Sequence, residues 1–503
     1  MHARAGALRL PIEAVWQVAA LIAPFIVAAG VASLTADSWW AIKMGELSVA
    51  TGQPGYAAVL AHTPTVEHPT NGQWLGQVFL YAGYTALGET GLRILAGLLM
   101  STTFALLLVA ARSEGGTPRI SAVAVMVGVL LASSNVAPRA QLFAFPLFAL
   151  TVLLLCRRHR SPHLTWLLPL IFGLWANIHG SFVLGPLLLG LHALGDGLQG
   201  IFRGWFVSRS IGAAWRAGLD LTWRYLPLLM AAMVATFINP LGPQVYGYVG
   251  TLTSHPMVSL IEEWRQTSLS DPTGRVFAVG IGLLLVALVT SRRRPSLSSV
   301  LVLLACGYLA VTAQRNVVWF GLLLVPVLAR HASTSRLTAW AGPRWRLAEA
   351  PAGSIANTIL AGCLVLVAAV SPMWRPLLAE RLHVQEEAAE IAPAQAANVL
   401  ASMPPGRRLY HYQPWTGYLA WRLWPTQLPF LDARVEAHPA AVWTDYLSVA
   451  TVQHNWEAIL DQYGVDYLAL QRQSQEPLAT AAVKTGRWRM VYEDDVALVL
   501  IRN

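Results

Sequence analysis

Charge is scarce in this sequence: 12% of its 503 residues are Asp, Glu, Lys or Arg, while 55% are hydrophobic. An ordinary soluble domain carries about a quarter charged residues. The shortage therefore sets aside a purely water-soluble globule and leaves the balance of a polytopic membrane protein. Cysteine is nearly missing as well. The three present, Cys156, Cys306 and Cys363, lie inside or at the edge of apolar runs, with no CxxC or Cys/His spacing, which argues against a disulfide framework or a zinc site. The C-terminal part has no GxGxxG and no Walker loop, so a nucleotide site has no support. No internal repeat is visible. The formal net charge is +9, but the Arg clusters fall between apolar runs, where they orient a membrane protein instead of binding nucleic acid.

What the chain does have is tryptophan, 20 residues of it, suited to the water-lipid interfaces where an amphipathic ring lies at headgroup depth. It also has apolar runs long enough to cross a bilayer, which takes ~17 to 25 residues of helix. These start near Val15, Leu92, Ile120, Gln141, Leu164, Ser181, Leu226, Val276, Ser299, Val317 and Ile355, about eleven spans with one or two in doubt at the short pairs. The first begins beyond Arg4 and Arg9 and ends in AAGVAS, which is weakly like a signal-peptide cleavage region; its ~20 residues suit an uncleaved span equally.

With the N-terminus cytoplasmic, ARSEGGTPR, CRRHRSPH, the long FRGWFVSRSIGAAWRAGLDLTWR, SRRRPS and RHASTSRLTAWAGPRWR all fall on one side, as the positive-inside rule requires. The segment from Trp205 to Arg224 reads as an amphipathic, basic helix lying on anionic lipid. The opposite face then receives most of the unusual polar residues and the whole tail. The expected division is a membrane domain over residues 1–372, with a first periplasmic loop over 35–90, and a periplasmic domain over 373–503. In that tail RRLYHY, LPFLDAR, VDYLALQ, WRMVYED and VALVLIR read as strands. The segments between them read as helices, which predicts an α/β layer structure with a mostly parallel sheet.

Several polar residues on that face are candidates for chemistry. Asp37, in TADSWWAIKMGE, lies where the first span should leave the membrane, and boundary carboxylates are functional candidates by default; a solvated helix end is the alternative. Trp39 and Trp40 read as an interfacial belt, and Lys43 and Glu46 stand one helical turn apart, ready to pair. The loop GQPGYAAVLAHTPTVEHPTNGQWLGQVFLY, with His62 and His68, is long and structured enough to suggest function. Arg139 stands beside Gln141 in APRAQLFAF; an Arg there binds phosphate bidentately, or merely snorkels. WANIHGSF places Asn177 and His179 among apolar residues, where a hydrogen-bonded structural role competes with catalysis. SHPMVSLIEEWR, expected as a surface helix, supplies His255, Glu262, Glu263 and Arg265, and TAQRN supplies Arg315. Asp432, Arg434 and Glu436 follow a predicted strand, where α/β sheets build sites, although an internal salt bridge accounts for them as well. No single residue is specific. Together they make a cationic mouth with a carboxylate, suited to a phosphate-bearing substrate at a membrane surface.

The ordered set DSWWAIKMGE, NGQWLGQVFLY, PRAQLFAF, LWANIHGSFVLG, INPLG, IEEW, QRN, GYLAWRLWP and FLDARVE resembles bacterial multi-span proteins similar to GT-C glycosyltransferases. The resemblance covers most of the chain through degenerate motifs. It implies an α-helical polytopic, GT-C-like membrane protein with a C-terminal soluble α/β domain, placed in a bacterial inner membrane. It further implies a first extracytoplasmic loop with two juxtamembrane helices and a polyprenyl-phosphate-linked sugar as donor. Asp37 becomes the general base toward an acceptor that is a glycan, a lipid or a protein, and Arg139 and Arg315 become binders of the donor phosphate. Glu46, His62, His68, Asn177, His179, Glu262, Glu263, Arg265, Asp432 and Arg434 are the candidates for holding sugar or acceptor. Several GT-C enzymes carry a second acid beside the first, whereas Ser38 and Trp39 follow here. Glu46, Glu67 or Glu262 could substitute, which leaves a divalent cation such as Mg or Mn and metal independence equally open. Competing uses of the same face are polymerisation or ligation of lipid-linked oligosaccharides, transport or lipid flipping, and noncatalytic scaffolding. A flippase is disfavoured because the polar groups gather at one face and not at the midplane.

Overall fold

The computed structural model describes residues 9–31, 33–56, 58–66, 70–340, 342, 353–371 and 392–503. Backbone polar groups in hydrocarbon must be satisfied within the segment, so each apolar run becomes a helix. All eleven predicted starts fall on helices. Among the described residues six helices are long and apolar enough to cross a membrane, and four more are apolar but shorter. The eleventh, Leu226–Ala235, is ten residues long. The protein is a multi-pass membrane protein.

The helices that position the site are α1 (Ile12–Val31), α2 (Ala36–Thr51), α3 (Trp74–Ser113), α4 (Gln141–Arg157), α5 (Leu184–Ser208), α6 (Ile211–Trp223), α7 (Val317–Ser333) and α8 (Thr416–Leu423). The amphipathic stretch from Trp74 and the span from Leu92 form one bent rod, α3, broken at Gly88 with φ 61° and ψ −149°. Only glycine adopts that conformation without strain, so Gly88 turns a helix lying at the loop into one running inward. The segment from Trp205 to Arg224 is not one helix. α5 ends at Ser208, Arg209 takes a left-handed φ of 53°, and α6 folds back against α5.

The C-terminal part is an α/β domain built on a five-stranded sheet, β1 (Arg407–His411), β2 (Gln427–Pro429), β3 (Tyr467–Gln471), β4 (Trp488–Glu493) and β5 (Ala497–Arg502), in the order β2-β1-β3-β5-β4. The sheet is mixed and not mostly parallel: β1 pairs parallel with β2 and β3, whereas β5 pairs antiparallel with β3 and β4. The cause is the connection. β1 and β2 are joined through α8, long enough for a crossover, while residues 494–496 between β4 and β5 allow only a hairpin. The expected boundary at 372 and 373 lies outside the described residues.

Two sets of main-chain contacts help to join this domain to the first loop. Backbone of the loop passes the end of β2, where His62 N donates to Pro429 O at 2.9 Å, and reaches the 3₁₀ turn Val435–Ala437, where Val66 N donates to Ala437 O at 2.9 Å. Second, α8 meets the start of α2 at Gly417, where an added Cβ would stand 1.9 Å from Ala36 O. We expect Gly417→Ala to destabilise the protein by about 1–3 kcal/mol, the usual cost of overpacking, and to shift the residue next to Ala36. A thermal midpoint equal to wild type would show that α2 moves aside freely.

Candidate functional site

Asp37 sits in the first turn of α2, where the helix dipole favours a carboxylate. Thr35 and Ser38 close that end: Thr35 N donates to Ser38 Oγ at 3.1 Å, and the two hydroxyls lie 3.3 Å apart. Asp37 is left facing an open cavity of about 980 Å³, walled by helices of the membrane part and by the C-terminal domain. Trp39 and Trp40 are not an interfacial belt. Both are 6% exposed, and Trp39 packs on Tyr84, Tyr418 and Trp421 with ring centroids 5.7, 5.2 and 4.5 Å away. Their burial between α3 and α8 fixes the rotation of α2 and so the direction of Asp37.

Across the cavity Arg139, in the turn before α4, donates through Nη1 to Glu263 Oε2 at 2.8 Å and to Asp37 Oδ2 at 3.5 Å, and through Nη2 to Asn135 Oδ1 at 3.5 Å. Glu263 Oε1 takes Arg315 Nη1 at 3.0 Å, and the Arg315 guanidinium stacks 4.3 Å over Trp264. One carboxylate thus bridges two arginines. The expected surface helix over this stretch is instead two 3₁₀ turns, Pro256–Leu260 and Glu262–Trp264. Extended backbone at Ile261 and Arg265 breaks the helix and turns Glu263 inward. The four charges sum to zero, so the mouth is a balanced network and not a surplus of cations.

Burial raises the Glu263 carboxyl, but Arg139 and Arg315 outweigh it and hold it down at about 2. For Asp37 the balance runs the other way. Although 54% of its side chain is open, it opens to a cavity inside the protein, and loss of bulk solvation raises its pKa above an ordinary aspartate; Glu263 adds to this while Arg139 and Arg315 oppose it. Burial works against the Arg139 charge, yet Glu263 and Asp37 keep it firmly protonated. His179 lines the cavity, and burial together with Arg315 and Arg139 pushes it down to about 3. Its Nδ1 lies 2.8 Å from Ser181 Oγ and accepts from Ser181 N at 3.0 Å, so it is a neutral group holding a turn.

The remaining candidates scatter. Glu262 lines the cavity. Glu46 pairs with Lys43 at 3.1 Å, away from it. His62 is packed edge-on against Phe430 with centroids 5.5 Å apart, and burial holds it down at about 3. His68 and Glu67 lie outside the described residues. Asn177 is wholly engaged by Trp74 Nε1 at 2.8 Å, Gly173 O at 2.9 Å and Ile238 O at 2.7 Å. Arg265 is exposed and off the cavity, its carbonyl accepting from Gln314 N at 3.0 Å. Asp432 and Arg434 form a buried pair at 3.0 Å that also grips the first loop: Leu60 N donates to Asp432 Oδ2 at 2.9 Å. Arg434 reaches the cavity as well and lies 5.3 Å over the Trp40 ring.

Among the described residues no group of three or more His, Cys, Asp or Glu is placed to hold a metal ion. Arg139 and Arg315 stand beside Asp37 and compete for the oxygens that a divalent cation would need. Sequence reasoning passed over Asn135, Trp264 and the Gln73–Tyr248 hydrogen bond of 3.1 Å. Asn135 and Trp264 lie within four residues of Arg139 and Glu263, a proximity that could have drawn attention to them; nothing local signals Tyr248.

No model of a known protein family matches the sequence, and no curated protein matches it. Among solved structures the chain is similar to ArnT from Cupriavidus metallidurans bound to undecaprenyl phosphate, with 15% identity, a TM-score of 0.50 and 96% of each chain covered. It is also similar to the oligosaccharyltransferase of Archaeoglobus fulgidus, with 12% identity, a TM-score of 0.48, and 92% of this chain and 69% of that one covered. At such identity the likeness to ArnT speaks for the fold, and the chain has the GT-C-like architecture that its ordered motifs resemble.

Proposed function

We propose that the protein is a membrane glycosyltransferase that moves a sugar from a polyprenyl-phosphate carrier to an extracytoplasmic acceptor, with Asp37 as general base. The observation that carries the reading is the placement of Asp37 in a large cavity, just past the end of the first apolar helix, 3.5 Å from Arg139 and beside the Glu263–Arg315 pair. The ArnT whose fold it shares was crystallised with undecaprenyl phosphate, a ligand of the donor class proposed.

In this reading an acceptor hydroxyl attacks the anomeric carbon of the donor. Asp37 takes the hydroxyl proton as the new C–O bond forms. The bond from the anomeric carbon to the phosphate oxygen breaks, and the lipid phosphate leaves with the electron pair. Charge grows on that oxygen, so preorganised cations beside it lower the barrier. Arg139 and Arg315 supply them, and Glu263 holds the pair together until an anionic phosphate competes for the same guanidinium edges. No step requires a metal.

Purified protein is mixed with candidate polyprenyl-phosphate sugars and candidate acceptors, a glycan, a lipid and a peptide, and release of the lipid phosphate is followed for wild type and Asp37→Asn. Loss of release in the variant supports the reading; no release by wild type with any donor defeats it. The proposed orientation, with the site and C-terminal domain periplasmic, is tested by labelling. Ser38 is buried, whereas Val49 near the end of α2 is 54% exposed. In a chain whose three cysteines are changed to Ser, Val49→Cys should react with an impermeant maleimide added outside the inner membrane, and labelling from the cytoplasm alone would invert the topology.

A further inference from the structure

Three histidines stand where the first loop, the stretch leading to Glu263 and the C-terminal domain meet, and none has a part in the reaction above. His411, at the end of β1, and His438, just past the 3₁₀ turn Val435–Ala437, are fully buried. Both ring nitrogens of His62, in the first loop, are buried as well. Hydrogen bonds fix the proton on two of the rings. His438 Nδ1 lies 2.9 Å from Pro64 O, which can only accept, so Nδ1 carries the hydrogen. His438 Nε2 lies 2.8 Å from Asp432 N, which can only donate, so Nε2 is bare. His411 repeats the pattern, with Nδ1 donating to Tyr412 O at 3.0 Å and Nε2 accepting from Leu431 N at 3.4 Å. Both rings are therefore neutral, and a second proton would set N–H against N–H.

The two amides belong to consecutive residues, and the segment they hold is the one that docks the first loop. Asp432 Oδ2 takes Leu60 N at 2.9 Å, and Arg434, paired with Asp432, donates to Ala58 O at 2.7 Å and to Thr70 O at 3.2 Å. Thr63 Oγ1 donates to Phe430 O at 2.6 Å. On the other flank His255 Nε2 donates to His438 O at 3.2 Å, which ties in the stretch leading to Glu263. Burial pushes His62 down to about 3, with Arg408, His411 and His438 adding to this. Burial also brings His411 down to about 4, with His438 adding, and it lowers His438, where Asp432 opposes and Arg434 adds. An ordinary imidazole titrates near ~6.5. The docked arrangement therefore binds fewer protons than the undocked one, and its stability falls as pH drops through that value.

We propose that His62, His411 and His438 form an acid-released latch: neutral, they seat the first loop and the stretch leading to Glu263 on the C-terminal domain, and protonated, they let both go. The cavity wall loosens with the latch, because Arg434 and Glu263 line the cavity. The latch is independent of the reaction that the cavity performs.

The test is hydrogen exchange of the full chain in detergent micelles, read by mass spectrometry at pH 7.5 and 5.5 and corrected for the intrinsic exchange rate at each pH. Opening of segments 58–66 and 430–438 should grow between those pH values by roughly tenfold for each histidine that takes up a proton. The β4–β5 hairpin, 488–502, should stay protected. His411→Gln and His438→Gln, whose side-chain oxygen can accept the same amide without titrating, should each remove about one tenfold step of that growth. His62→Phe, which keeps a ring against Phe430 and touches neither amide bond, should remove a step as well, and it carries the test if a Gln variant is already open at pH 7.5. Equal protection of wild type at the two pH values overturns the latch. So does a loss shared by the hairpin, which would be general unfolding, and so does acid opening in the variants as large as in wild type.

Discussion

Asp37→Asn is expected to lower kcat for release of lipid phosphate by about 10²–10⁴-fold, the range for loss of a positioned general base. The substitution keeps the size of the side chain, so α2 stays seated on Trp39 and Trp40 and donor binding should change little. What disappears is the oxygen that takes the acceptor proton in the proposed reaction. Because Asp37 is raised above an ordinary aspartate, which titrates near ~4, the wild-type rate should fall with decreasing pH along a limb lying above that value. The sign follows from the base being active only when deprotonated. A pH profile flat down to the ordinary aspartate range, or an Asn variant that turns over normally, would sink Asp37 as the base.

Arg139→Ala is expected to cost about 10²–10³-fold in kcat/KM for the donor, comparable with removal of one preorganised group that stabilises developing charge. The loss has two parts. In the proposed reaction the donor phosphate loses a guanidinium, and Glu263 and Asp37 are left facing each other across the gap that Arg139 bridged at 2.8 and 3.5 Å. Arg139→Lys should recover only part of the loss, since an ammonium lacks the planar fork. Removing a cation that lowers the Asp37 pKa must raise it further, so the acid limb should move to higher pH in the Ala variant. Donor kinetics and a pH limb both unchanged would show that Arg139 is structural.

Legibility followed the range of the interactions. The helices could be read because a run of apolar residues in lipid has one way to satisfy its backbone. The five strands could be read because each has a local pattern and its own punctuation. Parallel against antiparallel pairing needed the lengths of the connections, and the short turn at 494–496 was the detail that decided it. The direction taken by Glu263 could not be read, since it depends on Arg139, 124 residues away. Trp39 and Trp40 misled for a similar reason: tryptophan at a membrane boundary is usually interfacial, but Tyr418 and Trp421 of the C-terminal domain help to cover Trp39, and Arg434 of that domain lies over Trp40.

The scarcity of charge, the placement of the Arg clusters and the position of Asp37 at the end of the first span are properties of the chain read in one dimension. They suffice for a membrane protein with its polar groups gathered on one face, because hydropathy and charge act on each segment separately. Which of those polar groups meet is a property of the folded chain. Asp432 and Arg434 hold the first loop, and Glu263 joins two arginines. Each outcome depends on distances between segments far apart in the chain, and a buried charge takes the partner that packing brings to it.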